Sequence, residues 1–314
     1  MPSSAVRAFT DPDEFVASIR QGTCQLTVTG RGNFATELIR IDFHRLWVQR
    51  FSEALPRIIH VTDWGGRAAF SFRLQPGASI IRAGVEMLPG TIMRHAEGQS
   101  YYVNSGGGGY GTMSLPIAEM ACAGAAIAGC DLVPPKDPQF ITAAPAALAT
   151  LRDLHASAVA LAKDAPAVIA HPEAARGLEQ ALVEAMVDCL GGGEVEEDRA
   201  ALRQHAMIMR KFHRAIDEKP DEPIYIPELC KAIGASERTL RVCCQDHIGM
   251  SPKRYLLLRR MHFVRRALRN GDRAETTVTE IATRYGFWQF GRFAGEYKSL
   301  FGELPSATLT RPRD

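Results

Sequence analysis

The spacing of hydrophobic and polar positions changes near residue 116. From residue 25 to about 115, short runs of β-branched and aromatic residues alternate with glycine and proline turns, which is typical of a sandwich or small barrel. These runs are Ala35–Phe43, Arg45–Phe51, Arg57–Val61, Ala68–Leu74 and Ser79–Met87. Beyond residue 116 the apolar residues recur at helical spacing, and helices are predicted over Ala144–Lys163 and Pro172–Leu190.

These two helices have two compatible interpretations, because their apolar positions can pack onto the β-rich region or form the interface of a homodimer. Three glycines followed by acidic residues predict a linker over 191–198. We therefore expect an α+β protein. In it, residues 1–190 form one domain, β-rich over about 25–115 and helical over about 116–190, and residues 199–314 form an all-α domain.

After the linker, one pattern occurs twice. Its first copy begins with LCKAIG at residues 229–234, and its second begins with IATRYG at residues 281–286, 52 residues later. Later landmarks repeat with a shift of 53 residues: Leu240, Gly249 and Pro252 correspond to Phe293, Gly302 and Pro305. Each copy reads as a short helix, a glycine turn and a second helix, which predicts helix-turn-helix units at about 226–247 and 278–300.

The second helix of each unit carries the candidate base-reading side chains. In the first unit this helix is predicted over Glu237–His247, with Leu240 and Cys244 turned to the core. In the second unit it is predicted over Trp288–Leu300, and Trp288 is expected at the edge of the core rather than against the DNA backbone. Arginine and glutamine can form paired hydrogen bonds to base edges. The predicted base-reading residues are Glu237, Arg238, Arg241, Gln289, Gly291 and Arg292.

A basic helix is predicted between the two units, over Ser251–Asn270, with seven positive residues and no negative one. About 20 helical residues span roughly 30 Å, close to one turn of DNA, so this helix could hold both units on one face of a duplex. A solvated charged face is the alternative interpretation. The predicted phosphate contacts are Lys253, Arg254, Arg265 and Arg269.

The charge distribution agrees with DNA binding by the C-terminal part. Residues 1–219 carry 21 basic and 24 acidic side chains, whereas residues 220–314 carry 16 and 11. The seven cysteines show no metal-site spacing, so no metal or cofactor is expected. Without an apolar span or a secretion signal, the sequence predicts a cytoplasmic protein with no membrane partner.

These features resemble the AraC/XylS-type family of bacterial transcription regulators over about residues 200–311. The resemblance rests on the first unit, the Ser-Pro start of the basic connector, and a set of motifs in the second unit. Those motifs are Ile281-Ala282, Gly286-Phe287, Arg292-Phe293, Phe301-Gly302 and Pro305-Ser306. The resemblance implies a seven-helix DNA-binding domain behind a cupin-like domain, residues 1–190, that binds an effector and dimerises. It also implies promoter DNA, RNA polymerase and a small-molecule effector as partners, and activation rather than repression.

The family's base-reading positions fall on Arg238, Arg241 and Val242 in the first unit. In the second unit they fall on Gln289, Phe290, Gly291, Arg292 and Gly295. Val242 and Gly295 stand where the family often has arginine, and Cys244 replaces a usual aromatic residue. The resemblance thus implies that the second unit reads fewer bases.

The candidate effector contacts are polar or aromatic residues near the predicted strands: His44, Trp47, Trp64, His95 and Tyr101. Two other functions remain open. One is a metal-dependent barrel enzyme with His44, His95 and Glu97 as ligands, although the sequence lacks the closely spaced histidines of such barrels. The other is redox regulation through Cys243-Cys244 or Cys230 in the first unit.

Overall fold

The computed structural model describes residues 1–20, 22–63, 65–195, 200–218 and 224–311. The strands are β1 Ser3–Phe9, β2 Gly22–Val28, β3 Thr36–Asp42, β4 Trp47–Glu53, β5 Arg57–Asp63, β6 Arg67–Arg73, β7 Ile80–Arg82, β8 Val85–Glu86, β9 Thr91–Arg94, β10 Ser100–Ser105, β11 Gly108–Pro116, β12 Gln139–Thr142 and β13 Glu194–Val195. The helices are α1 Pro12–Ser18, α2 Ile117–Ala123, α3 Pro145–Asp164, α4 Pro166–Ala170, α5 Pro172–Gly191, α6 Ala200–Asp217, α7 Ile226–Ile233, α8 Glu237–Ile248, α9 Pro252–Asn270, α10 Val278–Arg284, α11 Phe290–Phe301 and α12 Pro305–Thr310.

The N-terminal half contains two antiparallel sheets, which confirms the α+β class and its β-rich first domain. The larger sheet has the order β1-β3-β4-β11-β6-β9-β12-β13, and the smaller has the order β2-β5-β10-β7-β8. The β-rich region begins earlier than the predicted residue 25, because β1 pairs with β3 and β2 starts at Gly22. Alternating polar and small residues in Ser3–Phe9 gave little hydrophobic signal for this edge strand.

Both faces of the larger sheet are covered. Between the sheets lies a core that includes Phe15, Phe51 and Met93. On the outer face, α3 and α5 bury apolar residues such as Leu151, Leu182 and Met186 against strand residues Ile39, Ile41, Phe70 and Phe72. The predicted packing of these two helices onto the β-rich region is therefore confirmed, and their boundaries agree with the prediction to within one residue.

The predicted linker begins as part of the first domain. Glu194–Val195 forms β13 and pairs with Ile141 and Thr142 at the edge of the larger sheet. Residues 196–198 lie outside the described residues. The next described element, α6, starts at Ala200 and ends at Asp217.

The C-terminal half is helical, with two cores that share the long helix α9. Its N-terminal part contributes Tyr255 and Leu256 to the core of the first unit. Its later residues contribute Met261 and Val264 to the core of the second unit, which also contains Phe293. Because one rigid helix belongs to both cores, the spacing of the two units is fixed by its length.

The two halves pack together through a buried seam. Ile58 and Tyr102 of the smaller sheet join one hydrophobic cluster with Phe212 of α6 and Tyr255 of α9. The Tyr102 hydroxyl lies 3.0 Å from Nδ1 of His213 on α6. We call the contact of helices α6, α8 and α9 with the N-terminal half, centred on the smaller sheet and including α1 with its N-cap Asp11, the docking seam.

Two histidines of the docking seam, His262 and His60, are held neutral. His262 of α9 donates from Nε2 to the carbonyl oxygen of Val28, 3.0 Å away. Burial lowers the pKa of His262 from 6.5 to about 4. Burial, and after it the nearby His213, lowers the pKa of His60 to about 2, and the two rings stack with centroids 3.2 Å apart.

Acidification should therefore destabilise the docked chain. Between pH 6.5 and about pH 4, His262 is protonated in the unfolded state but neutral in the folded state. The free energy of unfolding therefore falls as the pH falls through this window. The variant His262→Gln keeps an amide that can donate to Val28 but has no group that titrates here. From pH 7.5 to pH 5, its free energy of unfolding should therefore drop by about 2 kcal/mol less than that of the wild type. Denaturant unfolding at both pH values measures this difference, and equal losses would contradict the assignment.

Candidate nucleic-acid interface

The first helix-turn-helix unit is built by local sequence signals. Helix α7 ends at Gly234, whose φ of 70° is left-handed and whose amide donates to the Cys230 carbonyl. Helix α8 begins at Ser236, whose hydroxyl accepts from the Thr239 amide at 3.1 Å. Leu240 and Cys244 are fully buried, as predicted. These two signals fix the angle at which α8 leaves the turn.

The second unit has the same order of parts with a different cap. Thr277 and Glu280 form a reciprocal capping box at the start of α10, since each side chain accepts from the backbone amide of the other. Gly286 follows with a φ of 75°. Helix α11 starts at Phe290, two residues later than predicted, because Trp288 and Gln289 lie in the connecting segment.

The predicted base-reading side chains all lie on the surface. Glu237, Arg238, Arg241, Gln289, Gly291 and Arg292 are exposed. Within each unit an arginine pairs with a glutamate one turn away: Arg241 with Glu237 at 3.1 Å and Arg292 with Glu296 at 2.9 Å. Exposed pairs of this kind contribute little to stability, so the arginines can exchange them for DNA at small cost.

Trp288 departs from the sequence expectation. It was expected at the edge of the core, but its side chain is 71% exposed at the N-terminal end of α11, next to the half-exposed Phe290. Phe287 and Phe293 occupy the core instead, with ring centroids 4.8 Å apart. An exposed tryptophan beside the predicted base-reading residues is available to the sugar-phosphate backbone.

The positive side chains of α9 are exposed at its N-terminal end and contact their own chain further along. Lys253 and Arg254 at its N-terminal end are exposed. Arg265 stacks on Phe301 at 5.0 Å, and Arg269 forms an ion pair with Asp11 of the N-terminal domain. Two of the four predicted phosphate contacts are therefore engaged within the chain in this conformation, and two are open.

The remaining arginines of α9 also contact their own chain. Arg266 pairs with Asp13 of α1, with Nε and Oδ2 3.0 Å apart. Arg259 is almost fully buried, donates to the Ile216 carbonyl at 2.7 Å and forms an ion pair with Asp217. The basic helix is neither a freely solvated face nor a purely DNA-directed one, because much of its charge holds the docking seam.

The candidate effector residues separate into two locations. His95 and Tyr101 lie together, with Nδ1 and the hydroxyl oxygen 2.9 Å apart, and both line a cavity between the two sheets. Trp47 lies between the guanidinium groups of Arg20 and Arg67, and His44 pairs with Glu179 of α5 at 3.1 Å. Trp64 lies outside the described residues.

The sequence missed Arg82, which lines the same cavity, because it was hidden in the predicted strand Ser79–Met87. A charged residue between apolar strand positions was the signal that could have found it. The alternative metal ligands do not converge either. His44 and His95 take part in different hydrogen-bond networks, and no group of three metal-ligating side chains occurs among the described residues.

Comparison with known proteins follows this division of the chain. A helix-turn-helix domain family matches residues 229–311. The probable thc operon regulatory protein of Rhodococcus erythropolis is 40% identical over 102 residues, covering 32% of this chain and 31% of that protein. XylDLEGF operon transcriptional activator 2 of Pseudomonas putida is 38% identical over 95 residues, covering 30% of this chain and 60% of that protein. The chain thus spans about a third of the length of the first of these relatives.

Two solved structures are also similar to this chain. The AraC-like transcriptional activator CuxR covers 81% of this chain and 94% of its own, with 12% identity and a TM-score of 0.45. A probable AraC family transcriptional regulator from Rhodopseudomonas palustris is 34% identical, covers 34% of this chain and 98% of its own, and gives a TM-score of 0.31. No helix among the described residues is long and apolar enough to cross a membrane.

The exposed face of α11 offers a test at Gly295. A Cβ at this position meets no atom within 4 Å, so a side chain fits without displacement. Gly295→Ala should raise the free energy of unfolding by about 0.5–1 kcal/mol through helix propensity alone. Gly295→Arg should also tighten DNA binding and steepen its salt dependence by about one phosphate contact. Salt-titrated binding assays compare the two variants, and equal tightening would show that the added charge does not reach DNA.

The ion pairs of α9 predict a second effect. Asp13→Asn removes the partner of Arg266 and leaves the N-cap of α1, which Asp11 supplies, intact. We expect several-fold tighter binding to non-specific duplex at low salt, because a basic side chain is released from the docking seam. Glu14→Gln is the control, since it removes the same charge from an exposed neighbour. An equal gain in both variants would indicate only a change in net charge.

Proposed function

Because its C-terminal domain is a helix-turn-helix domain of the AraC/XylS type, we propose that the whole chain is a sequence-specific transcription regulator. The observation that carries this proposal is the pair of exposed arginine-bearing surfaces on α8 and α11, held at the two ends of one helix. Helix α9 spans roughly 30 Å, close to one turn of DNA, so successive major-groove segments lie within reach.

The two units are unequal, and this supports recognition of an asymmetric site. The first unit offers Arg238 and Arg241, and the second offers Gln289 and Arg292 next to two glycines. Glycine contributes no side-chain contact to a base edge, so the second unit reads fewer bases. Lys253 and Arg254 supply phosphate contacts in the docked conformation. Arg269 would add one more on release from Asp11, and Arg265 another on leaving the ring of Phe301 within the C-terminal half.

The N-terminal domain supplies the regulation in this proposal. It binds a small metabolite, and binding changes how firmly the docking seam holds α9. The outer surfaces of α3 and α5 serve as a homodimer interface, and the protein activates transcription by contacting RNA polymerase. The operon activators among its relatives support activation over repression.

Two alternative functions have less support. Burial raises the pKa of Cys243 to about 11 and that of Cys244 further, and both thiols are fully buried, which makes them poor redox sensors. A barrel enzyme would need a converging ligand set, and His44, His95 and Glu97 are hydrogen-bonded to different partners. The proposal therefore gives these residues no catalytic role.

Arg238→Ala and Arg292→Ala test the proposed base reading. Duplexes selected by the wild type from a random pool define its site. Each variant should bind that site tenfold or more weakly, with a smaller loss on random duplex, because an arginine–guanine contact is worth about 1–3 kcal/mol of discrimination. Arg45→Ala is the matched control, an exposed arginine of the N-terminal domain that pairs with Glu119. Wild-type sequence preference in both variants would refute the assignment.

A further inference from the structure

A cavity lies inside the N-terminal domain, between the two sheets. Its volume is about 70 Å³, which is room for a small organic molecule rather than a single water. Part of its wall is apolar, from Phe51, Ile59 and Val103. The polar part of the wall includes Arg82, His95 and Tyr101.

Arg82 is a buried cation without a counter-ion. Arg82 is only 4% exposed, and its guanidinium lies 4.6 Å from the ring centre of Tyr110. Its Nη2 is buried without a hydrogen-bond partner. No described carboxylate pairs with it. A guanidinium keeps its charge in proteins, so burial without an anion carries a large desolvation cost.

Neighbouring groups do not supply the missing negative charge. Glu53 accepts two hydrogen bonds from Arg57, which also donates to the Tyr110 hydroxyl at 2.7 Å. Arg20, at another part of the wall, already has its own partner in Asp42 at 2.5 Å. Glu53 balances the charge of Arg57 and Asp42 balances that of Arg20, so the charge of Arg82 is in excess.

His95 cannot serve as an anion and is not a second cation. Burial, and after it the charge of Arg82, lowers the pKa of His95 to about 3, so the ring is neutral. Its Nε2 lies 2.6 Å from the Ser71 hydroxyl, and its Nδ1 lies 2.9 Å from the Tyr101 hydroxyl. These bonds fix the ring as a polar wall. The cavity thus carries one net positive charge, at Arg82.

We propose that this cavity binds a small organic monocarboxylate, with its carboxylate on Arg82 and its short apolar part against Phe51, Ile59 and Val103. One carboxylate neutralises the excess charge, and a guanidinium can hold it through two parallel hydrogen bonds. The apolar wall disfavours inorganic anions, which keep their full hydration requirement. The volume limits the occupant to a few carbon atoms.

The same strand connects this cavity to the docking seam. Successive residues of a strand point to opposite faces, so on β10 Tyr101 lines the cavity while Tyr102 contacts His213 of α6. On β5, Ile59 lines the cavity while Ile58 joins the cluster around Phe212. A ligand that shifts either strand therefore acts on the seam that holds α9. That the carboxylate is the effector rests on the proposed function; that it binds does not.

The test uses the full chain with acetate and isobutyrate, each compared with its uncharged amide. Thermal unfolding and calorimetric titration should show binding of a carboxylate and at least tenfold weaker binding of the matching amide, since only the carboxylate neutralises Arg82. Similar affinities for acid and amide, or no binding of either acid, overturn the proposal. This comparison needs no variant and is independent of folding defects.

Arg82→Met provides the second measurement. It removes an unpaired buried charge and keeps the volume, so the ligand-free melting temperature should stay level or rise, while the carboxylate shift disappears. Arg73→Met is the control. Arg73 is equally buried but donates to the carbonyls of Met87, Gly77 and Ala78, so its replacement should lower the melting temperature and keep the carboxylate shift. An Arg82→Met protein that is destabilised like Arg73→Met, or still responds to carboxylate, overturns the proposal.

Binding of the wild type to its selected duplex is measured in parallel. Loss of specific DNA binding with intact carboxylate binding would refute the regulator and leave the cavity assignment standing. Intact DNA binding without any carboxylate response would refute the cavity assignment alone.

Discussion

The docking seam is the contact on which the arrangement of the molecule depends. Ile58 and Tyr102 on the smaller sheet are buried against Phe212 and Tyr255. Around this apolar centre lie the ion pairs and hydrogen bonds of Arg259, Arg266 and Arg269. The buried apolar area provides the free energy of docking, while the polar contacts fix its register.

The seam also explains why one helix has two roles. Helix α9 sets the distance between the two helix-turn-helix units, and it presents basic side chains to the N-terminal domain. The smaller sheet contacts the C-terminal half through that helix and also through α6 and α8. Successive side chains of β5 and of β10 point to opposite faces of the smaller sheet. A residue that lines the cavity is therefore the direct chain neighbour of a residue in the docking seam.

Local sequence signals predicted much of the fold. Glycine at the end of α7 and serine at the start of α8 predicted the turn of the first helix-turn-helix unit, and the sequence repeat predicted the second unit. The edge strand β1 was missed because its residues lack a period-two apolar pattern. Trp288 was misplaced because periodicity cannot tell which of several clustered aromatic residues the core accepts. In this chain Phe287 and Phe293 fill that space.

By itself, the sequence determined the main helices, the duplication and the charge difference between the halves, because each depends on neighbouring residues or on composition. It could not determine what the basic residues of α9 contact, since Asp11 and Asp13 are some 250 positions away along the chain. Nor could it show that Arg82 is buried without an anion, because burial depends on how two sheets close over each other. The tertiary structure decided both points. It showed which of the seven basic residues of α9 are exposed and which contact their own chain. It also showed that Arg82 of β7 carries a buried charge without a counter-ion.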